Sequence, residues 1–276
     1  MSRLVIKFPA LCLFVLAVLL GLAPSLPAAA GLIPPAFMQL GALSASLAGI
    51  ILAAIEGRKG GVVELLRRAL IWRVGLGWWV FVLLFPALLA VVTLYSAPLF
   101  GAPSVDWSGV PPIYTLLPML LMLILFAGLG EEFGWRGFAL PRLQKRYSAL
   151  VSGLVVGVLW WLWHTPMFFI EGMGQYRMAQ EWGFLPAFLG YGVSVISSAV
   201  TFVWLFNNTR GSVLIVAVYH GSMNAWTAYT GAMEHPSGLL TGFALSAIVS
   251  IAVVLLFGAQ NLSRKYKRDV LELEEA

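Results

Sequence analysis

Eight long apolar runs divide this chain and leave few folds open to it. A helix that spans a membrane needs roughly 20 mostly apolar residues. The runs do not alternate between apolar and polar residues, as the strands of a membrane β-barrel would. The sequence therefore predicts an all-α fold, a polytopic membrane helix bundle with about eight transmembrane helices. The runs cover residues 8–30, 33–55, 74–97, 113–135, 149–170, 183–206, 212–230 and 238–258.

The composition agrees with a lipid environment. The chain is 60% hydrophobic and 11% charged, whereas soluble domains contain about 25% charged residues. The net charge of +5 comes from basic residues in short connections, which is typical of membrane topology rather than of nucleic-acid binding. We therefore expect the lipid bilayer, and no nucleic acid, among the partners. Cys12 is the only cysteine, so an intramolecular disulfide and a cysteine-based metal site are excluded.

Charged residues predict how the chain is oriented. Every second connection is basic, and cytoplasmic connections carry the excess of Lys and Arg. We therefore predict an integral protein of the cell membrane with both termini in the cytoplasm. The remaining connections hold Asp106, then Glu171, Arg177 and Glu181, then Glu234. The basic ones hold Arg3 and Lys7; Arg58, Lys59, Arg67, Arg68 and Arg73; Arg142, Lys145 and Arg146; Arg210; and Arg264, Lys265, Lys267 and Arg268.

Two segments near the N-terminus have their own interpretations. Arg3 and Lys7, the apolar run and the small residues at 27–30 are also typical of a secretory signal with a cleavage site. Cleavage would leave seven runs with the same orientation. The segment from Glu56 to Arg73 groups its apolar residues on one side, so we predict a basic amphipathic helix on the cytoplasmic surface.

Four polar residues lie inside apolar runs, at membrane depth. They are Glu131, His164, His220 and Asn224. Ionisable groups are costly in lipid and usually face the interior of a bundle, where they serve a function. The sequence therefore predicts a polar site inside the membrane.

The spacing of the neighbouring residues separates candidate catalytic groups from supporting ones. Glu132 and Arg136 are four residues apart, so they meet on one helix face and can form an ion pair. Glu131 points about 100° away from Glu132 and is left for chemistry. His220 and Asn224 also share a face, and the small Gly221 beside them allows another helix to approach closely.

These residue types can carry out proton transfer on a water molecule. Glu131 would act as the general base, with His164 sharing or orienting the water. His220 and Asn224 would donate hydrogen bonds to a developing oxyanion. In the alternative, Glu131, His164 and His220 would ligate zinc with one position open for water. No cofactor is required by the first version, and the sequence leaves both open.

Three motifs resemble those of the CPBP family, which contains CAAX prenyl endopeptidases and Abi-like bacteriocin-processing or immunity proteins. The resemblance covers about 113–230, and Trp160 stands where the family often has Phe. The motifs are Glu131-Glu132-Phe133-Gly134-Trp135-Arg136, Trp160-Trp161-Leu162-Trp163-His164 and His220-Gly221-Ser222-Met223-Asn224.

The resemblance implies an intramembrane endopeptidase with a cavity that opens toward the cytoplasm. It assigns water activation to Glu131 and His164, oxyanion stabilisation to His220 and Asn224, and support to Glu132 and Arg136. The implied substrates are membrane-associated peptides or proteins, either prenylated CAAX-type or bacteriocin-like. On this basis we divide the chain into N-terminal spans with the amphipathic segment (1–112), a catalytic core (113–230), and a last span with a basic tail (231–276).

Two other functions are compatible with intramembrane Glu and His residues. A proton-coupled transporter uses such groups as a proton relay, but it would be expected to show inverted repeats, and no such symmetry is apparent in the sequence. A non-catalytic membrane scaffold would not need the three motifs intact.

Overall fold

The computed structural model describes residues 2–34, 40–105 and 108–264, and these residues form helices and no strands. Short 3₁₀ helices extend or connect the longer ones, among them Arg68–Leu70, Ala97–Phe100, Ile113–Thr115 and Thr165–Phe169. Asp106, Lys265, Lys267 and Arg268, which contributed to the predicted orientation, lie outside the described residues. The α-helices are α1 Ser2–Lys7, α2 Pro9–Ala29, α3 Ser44–Arg67, α4 Leu76–Ser96, α5 Leu116–Leu123, α6 Gly130–Glu132, α7 Leu140–Gln144, α8 Ala149–Trp163, α9 Gly174–Trp182, α10 Phe184–Asn208, α11 Val213–Thr230 and α12 Pro236–Phe257.

Seven stretches of the described chain are long and apolar enough to cross a membrane. The predicted all-α membrane bundle is therefore confirmed, and the chain is an integral membrane protein. The predicted run at 212–230 forms α11 but is not among the seven, because His220 and Asn224 make this helix less apolar. The seven stretches are Pro9–Ala28, Leu40–Gly57, Leu76–Phe100, Ile113–Gln144, Ala149–Phe169, Phe184–Asn208 and Pro236–Phe257.

The basic segment after the second span does not form a separate helix. Helix α3 continues without a break from the span through Glu56 to Arg67, and the 3₁₀ helix Arg68–Leu70 follows. Arg68 is 3% exposed, whereas Leu70 is 73% exposed. The predicted amphipathic segment is thus the end of a long helix, and its apolar residues are not all turned inward.

The fourth span is not a regular α-helix. Two π-helical segments, Ile124–Leu129 and Phe133–Ala139, flank the single α-turn α6. Such π segments widen the backbone and are frequent at functional sites. The helix before Glu131 and the helix after Glu132 therefore both have more residues per turn than the 3.6 assumed from the sequence.

Hydrogen bonds across the bundle define the end that carries the basic connections. The guanidinium of Arg146 donates to the carbonyls of Lys7 and Ile6, each over 2.7 Å. Ser212 Oγ donates to the Ile71 carbonyl over 2.6 Å. We call this the basic end; it also holds the ion pair of Arg142 with Glu56 and the contact of Asn208 with Leu262.

Two further hydrogen bonds define the opposite end. Tyr229 Oη donates to the Pro111 carbonyl over 2.8 Å, and Ser237 Oγ donates to the Phe100 carbonyl over 2.6 Å. The chain crosses between the two ends once in each of the long helices. The opposite end therefore also includes the connection 231–235 and the segment 171–183, which contains α9.

Glycines let the central helices approach one another closely. A Cβ atom on Gly134 would collide with the carbonyl oxygen of Ala45 on α3, and one on Gly221 would lie 2.5 Å from Ile124 Cγ1. Close approach of another helix at Gly221 was expected from the sequence and is confirmed. These contacts fix the position of the Glu131 turn between α3 and α11.

Gly134→Ala should destabilise the bundle, because the added methyl group meets backbone atoms that cannot turn aside. We expect a loss of about 1–3 kcal/mol, measured as a lower thermal midpoint of the detergent-solubilised protein. Gly57→Ala is the matched control, since an added Cβ there meets nothing within 4 Å. Its midpoint should stay the same or rise. Equal thermal midpoints of the two variants would show that the close contact with α3 does not contribute to stability.

Candidate active site

The four polar residues predicted at membrane depth line one cavity of about 600 Å³. Glu131 comes from α6, His164 follows the last residue of α8, and His220 and Asn224 come from α11. Glu131 is 5% exposed, His164 7% and His220 4%. The fold thus brings together, from three separate parts of the bundle, the groups that the sequence singled out.

Glu132 and Arg136 lie beside this cavity in the packed interior. Both side chains are fully buried, and Arg136 Nη1 lies 2.9 Å from Glu132 Oε1. The same carboxylate oxygen accepts a hydrogen bond from His220 Nδ1 over 2.9 Å. Glu132 therefore links the arginine to one of the cavity histidines, which the sequence spacing alone did not indicate.

The charge of Arg136 is also stabilised by aromatic rings. Its Cζ atom lies 4.3 Å from the centre of the Trp160 ring and 4.2 Å from that of Phe202. The attraction between a cation and the face of a ring is strongest where water is excluded. The rings and Glu132 together hold a guanidinium ion that has no contact with solvent.

Hydrogen bonds fix which nitrogen of each cavity histidine carries the proton. His164 Nδ1 lies 2.7 Å from the carbonyl oxygen of Trp160. A carbonyl only accepts, so we assign the proton to Nδ1. His220 Nδ1 is bonded to the Glu132 carboxylate in the same way. When either ring is neutral, Nε2 is then the nitrogen with a free lone pair.

Trp160 is the part of the site that sequence reasoning missed. Its indole N–H donates to Glu131 Oε2 over 2.6 Å, although the sequence indicated no local partner for Glu131. The signal was present as the departure from the family motif, because the Phe often found at this position has no such donor. Trp160 also contacts the His220 ring edge to face, with ring centres 5.5 Å apart.

The arrangement does not match the zinc alternative. Within residues 2–34, 40–105 and 108–264, no three His, Cys, Asp or Glu side chains are placed to hold one metal ion. Glu131, His164 and His220 as placed therefore do not fit a zinc ligand set, and no step below uses a metal.

Ser222 lies outside the cavity lining. Its side chain is fully buried, and its Oγ has no hydrogen-bond partner among the described residues. The nearest histidine in the sequence, His220, is bonded to Glu132 through one nitrogen. A serine nucleophile activated by histidine is therefore not supported by this geometry.

The cavity wall is mostly apolar and extends to the opposite end of the bundle. Met167, Met178, Met223 and Met233 line it, and methionine adapts to ligands of different shape. At the opposite end its lining includes the 231–235 connection and α9, where Gly174 and Arg177 are exposed.

No residue that defines the basic end lines the cavity. The cytoplasmic orientation of the basic connections and the cytoplasmic opening of the cavity both stay predictions.

Comparisons with known proteins agree with the motifs. Residues 112–226 match the family model described as type II CAAX prenyl endopeptidase Rce1-like. Over 145 residues the chain is 32% identical to a protein of Methanococcus maripaludis named CAAX prenyl protease 2. This alignment covers 51% of the chain and 52% of that relative, so the chain spans about half the length of the relative it matches. The family resemblance is confirmed, and all six candidate residues fall within the family segment.

Proposed function

We propose that this protein, whose segment 112–226 belongs to the Rce1-like family of type II CAAX prenyl endopeptidases, is an endopeptidase that hydrolyses peptide bonds within the membrane. One observation carries the proposal. A carboxylate, two imidazoles and an amide from three parts of the bundle converge on one buried cavity. A transporter or a scaffold would not need the histidines oriented by the partners seen here.

In the proposed reaction Glu131 is the general base. Trp160 holds one carboxylate oxygen, so the other oxygen is left to take a proton from water. The lone pair on His164 Nε2 accepts a hydrogen bond from the same water and orients it. The water oxygen attacks the carbonyl carbon of the scissile bond, and the carbonyl oxygen becomes negatively charged.

His220 and Asn224 would then stabilise the tetrahedral intermediate. The Asn224 amide donates hydrogen bonds to the oxyanion. His220 is a second donor only as an imidazolium that has taken up a proton from solvent before the attack, with Nδ1–H bonded to Glu132 and Nε2–H directed to the oxyanion. The proton held by Glu131 passes to the departing amine as the C–N bond breaks. The products are a new carboxylate and a new amine, and no bond to the enzyme is formed.

The substrates that we propose are membrane-associated peptides or proteins. Prenylated CAAX-type tails and bacteriocin-like peptides are the two candidate classes. The CAAX-type tails are supported by the family model and by the archaeal relative, both of which are described as CAAX prenyl proteases. Mass spectrometry of membrane peptides from cells with the wild-type protein or with Glu131→Gln tests this. Peptides that shorten only in wild-type cells identify the substrate, whereas identical peptide patterns would argue against a protease.

The orientation proposed for the chain places the basic end, and with it both termini, in the cytoplasm of a cell-membrane protein. The support is the concentration of Arg and Lys at one end of the bundle. A topology reporter fused after Ala276 should be active in the cytoplasm. Reporter activity on the outer face alone would show that the orientation is the opposite of the one proposed.

Trp160→Phe should lower the cleavage rate without unfolding the protein. The variant loses the hydrogen bond that orients the Glu131 carboxylate, and a misplaced catalytic group can lower the rate by about 100-fold. We therefore expect a roughly 10- to 100-fold lower kcat/KM, measured in purified protein with a cleavable peptide. Trp161→Phe is the control, because its indole donates instead to the Phe188 carbonyl. An unchanged rate in Trp160→Phe would show that the hydrogen bond from Trp160 to Glu131 does not contribute to catalysis.

A further inference from the structure

We infer that two serines of α10, Ser194 and Ser198, bind the backbone of the substrate peptide close to the scissile bond. Both residues line the cavity, and neither belongs to the three sequence motifs. The ligand chemistry that they fit is the peptide amide, whose carbonyl oxygen accepts a hydrogen bond from a hydroxyl. The inference deepens the proposed function and rests on it, because the peptide bound here is the one that is cleaved.

Contacts of α10 with the two cavity histidines locate the serines within the site. Tyr191, three residues before the first serine, packs against the His164 ring with ring centres 5.3 Å apart. Phe202, four residues after the second serine, packs against the His220 ring with ring centres 5.5 Å apart. Residues spaced by three or four share one face of a helix. The serines therefore lie on the stretch of α10 that runs from one cavity histidine to the other.

The fold itself does not use either hydroxyl. Hydroxyl groups within a helix often bond to the carbonyl four residues earlier, and those of Ser25, Thr230 and Ser246 do so in this chain. Among the residues that the structure describes, none is hydrogen-bonded to the hydroxyl of Ser194 or Ser198. Ser198 is nevertheless only 8% exposed. Because a buried hydroxyl without a partner is costly, both groups are available to a ligand in the cavity.

A peptide in this cavity needs such partners. The wall is mostly apolar, and an amide that leaves water for apolar surroundings without a hydrogen bond is destabilised. In an extended peptide, carbonyls two residues apart point to the same edge and are separated by about 6.6 Å. Ser194 and Ser198 are separated by about 6 Å along the helix axis, at 1.5 Å per residue. The two hydroxyls can therefore donate to two carbonyls on one edge of an extended peptide.

This arrangement divides the work of the site between its helices. The general base comes from α6 and the oxyanion donors come from α11, whereas α10 holds the peptide on which they act. The serines bind substrate and transfer no proton. Since they recognise the backbone, they select a peptide that is extended over at least three residues and tolerate side chains of different shape.

Binding without turnover tests the inference. The probe is a synthetic prenylated CAAX-type peptide, and its dissociation constant is measured in detergent with purified Glu131→Gln protein, which should not cleave it. Ser194→Ala and Ser198→Ala are each added to this protein. Ser246→Ala is the matched control, because Ser246 also lines the cavity but its hydroxyl donates to the Gly242 carbonyl over 3.0 Å.

We expect each of the two α10 changes to raise the dissociation constant roughly 3- to 10-fold, as loss of one hydrogen bond between neutral groups predicts. Ser246→Ala should leave the dissociation constant unchanged. With Glu131 restored, the α10 variants should raise KM by the same factor and leave kcat close to the wild-type value. Their thermal midpoints should also stay the same, since no hydrogen bond within the protein is lost.

A backbone ester in the probe separates direct binding from an indirect effect. Replacing one peptide amide by an ester weakens its carbonyl as an acceptor. At the carbonyl bound by Ser198, the ester should weaken binding to the Glu131→Gln protein and cause no further loss once Ser198→Ala is present. Unchanged binding in both alanine variants would overturn the inference, and so would ester and alanine effects that add at every position. Hydrolysis would stand in either case, whereas cleavage by Glu131→Gln would refute hydrolysis and leave the measured binding by the serines unaffected.

Discussion

Glu131→Gln should abolish peptide cleavage and leave the fold intact. A positioned general base contributes about 10²- to 10⁴-fold to the rate, and glutamine cannot take the proton from water. Its side-chain oxygen can still accept the hydrogen bond from Trp160, so the packing around the site is preserved. The measurement compares kcat and the thermal midpoint of the purified variant with those of the wild-type protein.

The matched control is Glu56→Gln. Glu56 is also a glutamate paired across the bundle, but its partner is Arg142 at the basic end, away from the cavity. This variant should cleave at the wild-type rate. Cleavage by Glu131→Gln at a rate close to wild type would mean that the carboxylate is not the base.

Glu132→Ala should instead lower the stability of the protein and the amount that folds. The change leaves Arg136 charged and fully buried without its carboxylate and also removes the acceptor for His220. Breaking one side of a buried ion pair costs about 3–5 kcal/mol. We expect a much lower yield and a lower thermal midpoint in detergent, together with loss of activity because His220 is no longer oriented.

The double variant Glu132→Ala with Arg136→Met separates the two effects. Removing both charges should recover much of the stability, since no uncompensated ion remains in the interior. Activity should stay low, because His220 still lacks its partner. If Glu132→Ala and Glu131→Gln had the same midpoint and the same rate, the distinction between a supporting and a catalytic carboxylate would be lost.

The sequence alone was sufficient to predict the fold class and to identify the residues that line the cavity. Length and apolar character decide whether a segment can cross a membrane, and these are local properties. The cost of placing Glu131, His164 or His220 in lipid is also a property of the residue and its run. For this reason the residues could be selected before their contacts were known, and the spacing of Glu132 and Arg136 was enough to predict their ion pair.

Other features depend on contacts between distant segments and could not be predicted in this way. The π-helical turns around Glu131 have no distinct sequence pattern. The bond between Trp160 and Glu131 joins two helices whose rotation is fixed only by packing. The lining of the cavity depends on how α8, α9, α11 and α12 pack around it, and the motifs do not contain that information.

The most direct test of hydrolysis by a Glu131-activated water is mass spectrometry of a quenched single turnover in heavy-oxygen water. We predict that the new carboxyl terminus of the peptide carries the heavy oxygen while the mass of the enzyme stays unchanged throughout the reaction. Ser222→Ala should give the same result. An enzyme species heavier by the acyl part of the substrate would show a covalent intermediate and would contradict the mechanism proposed here.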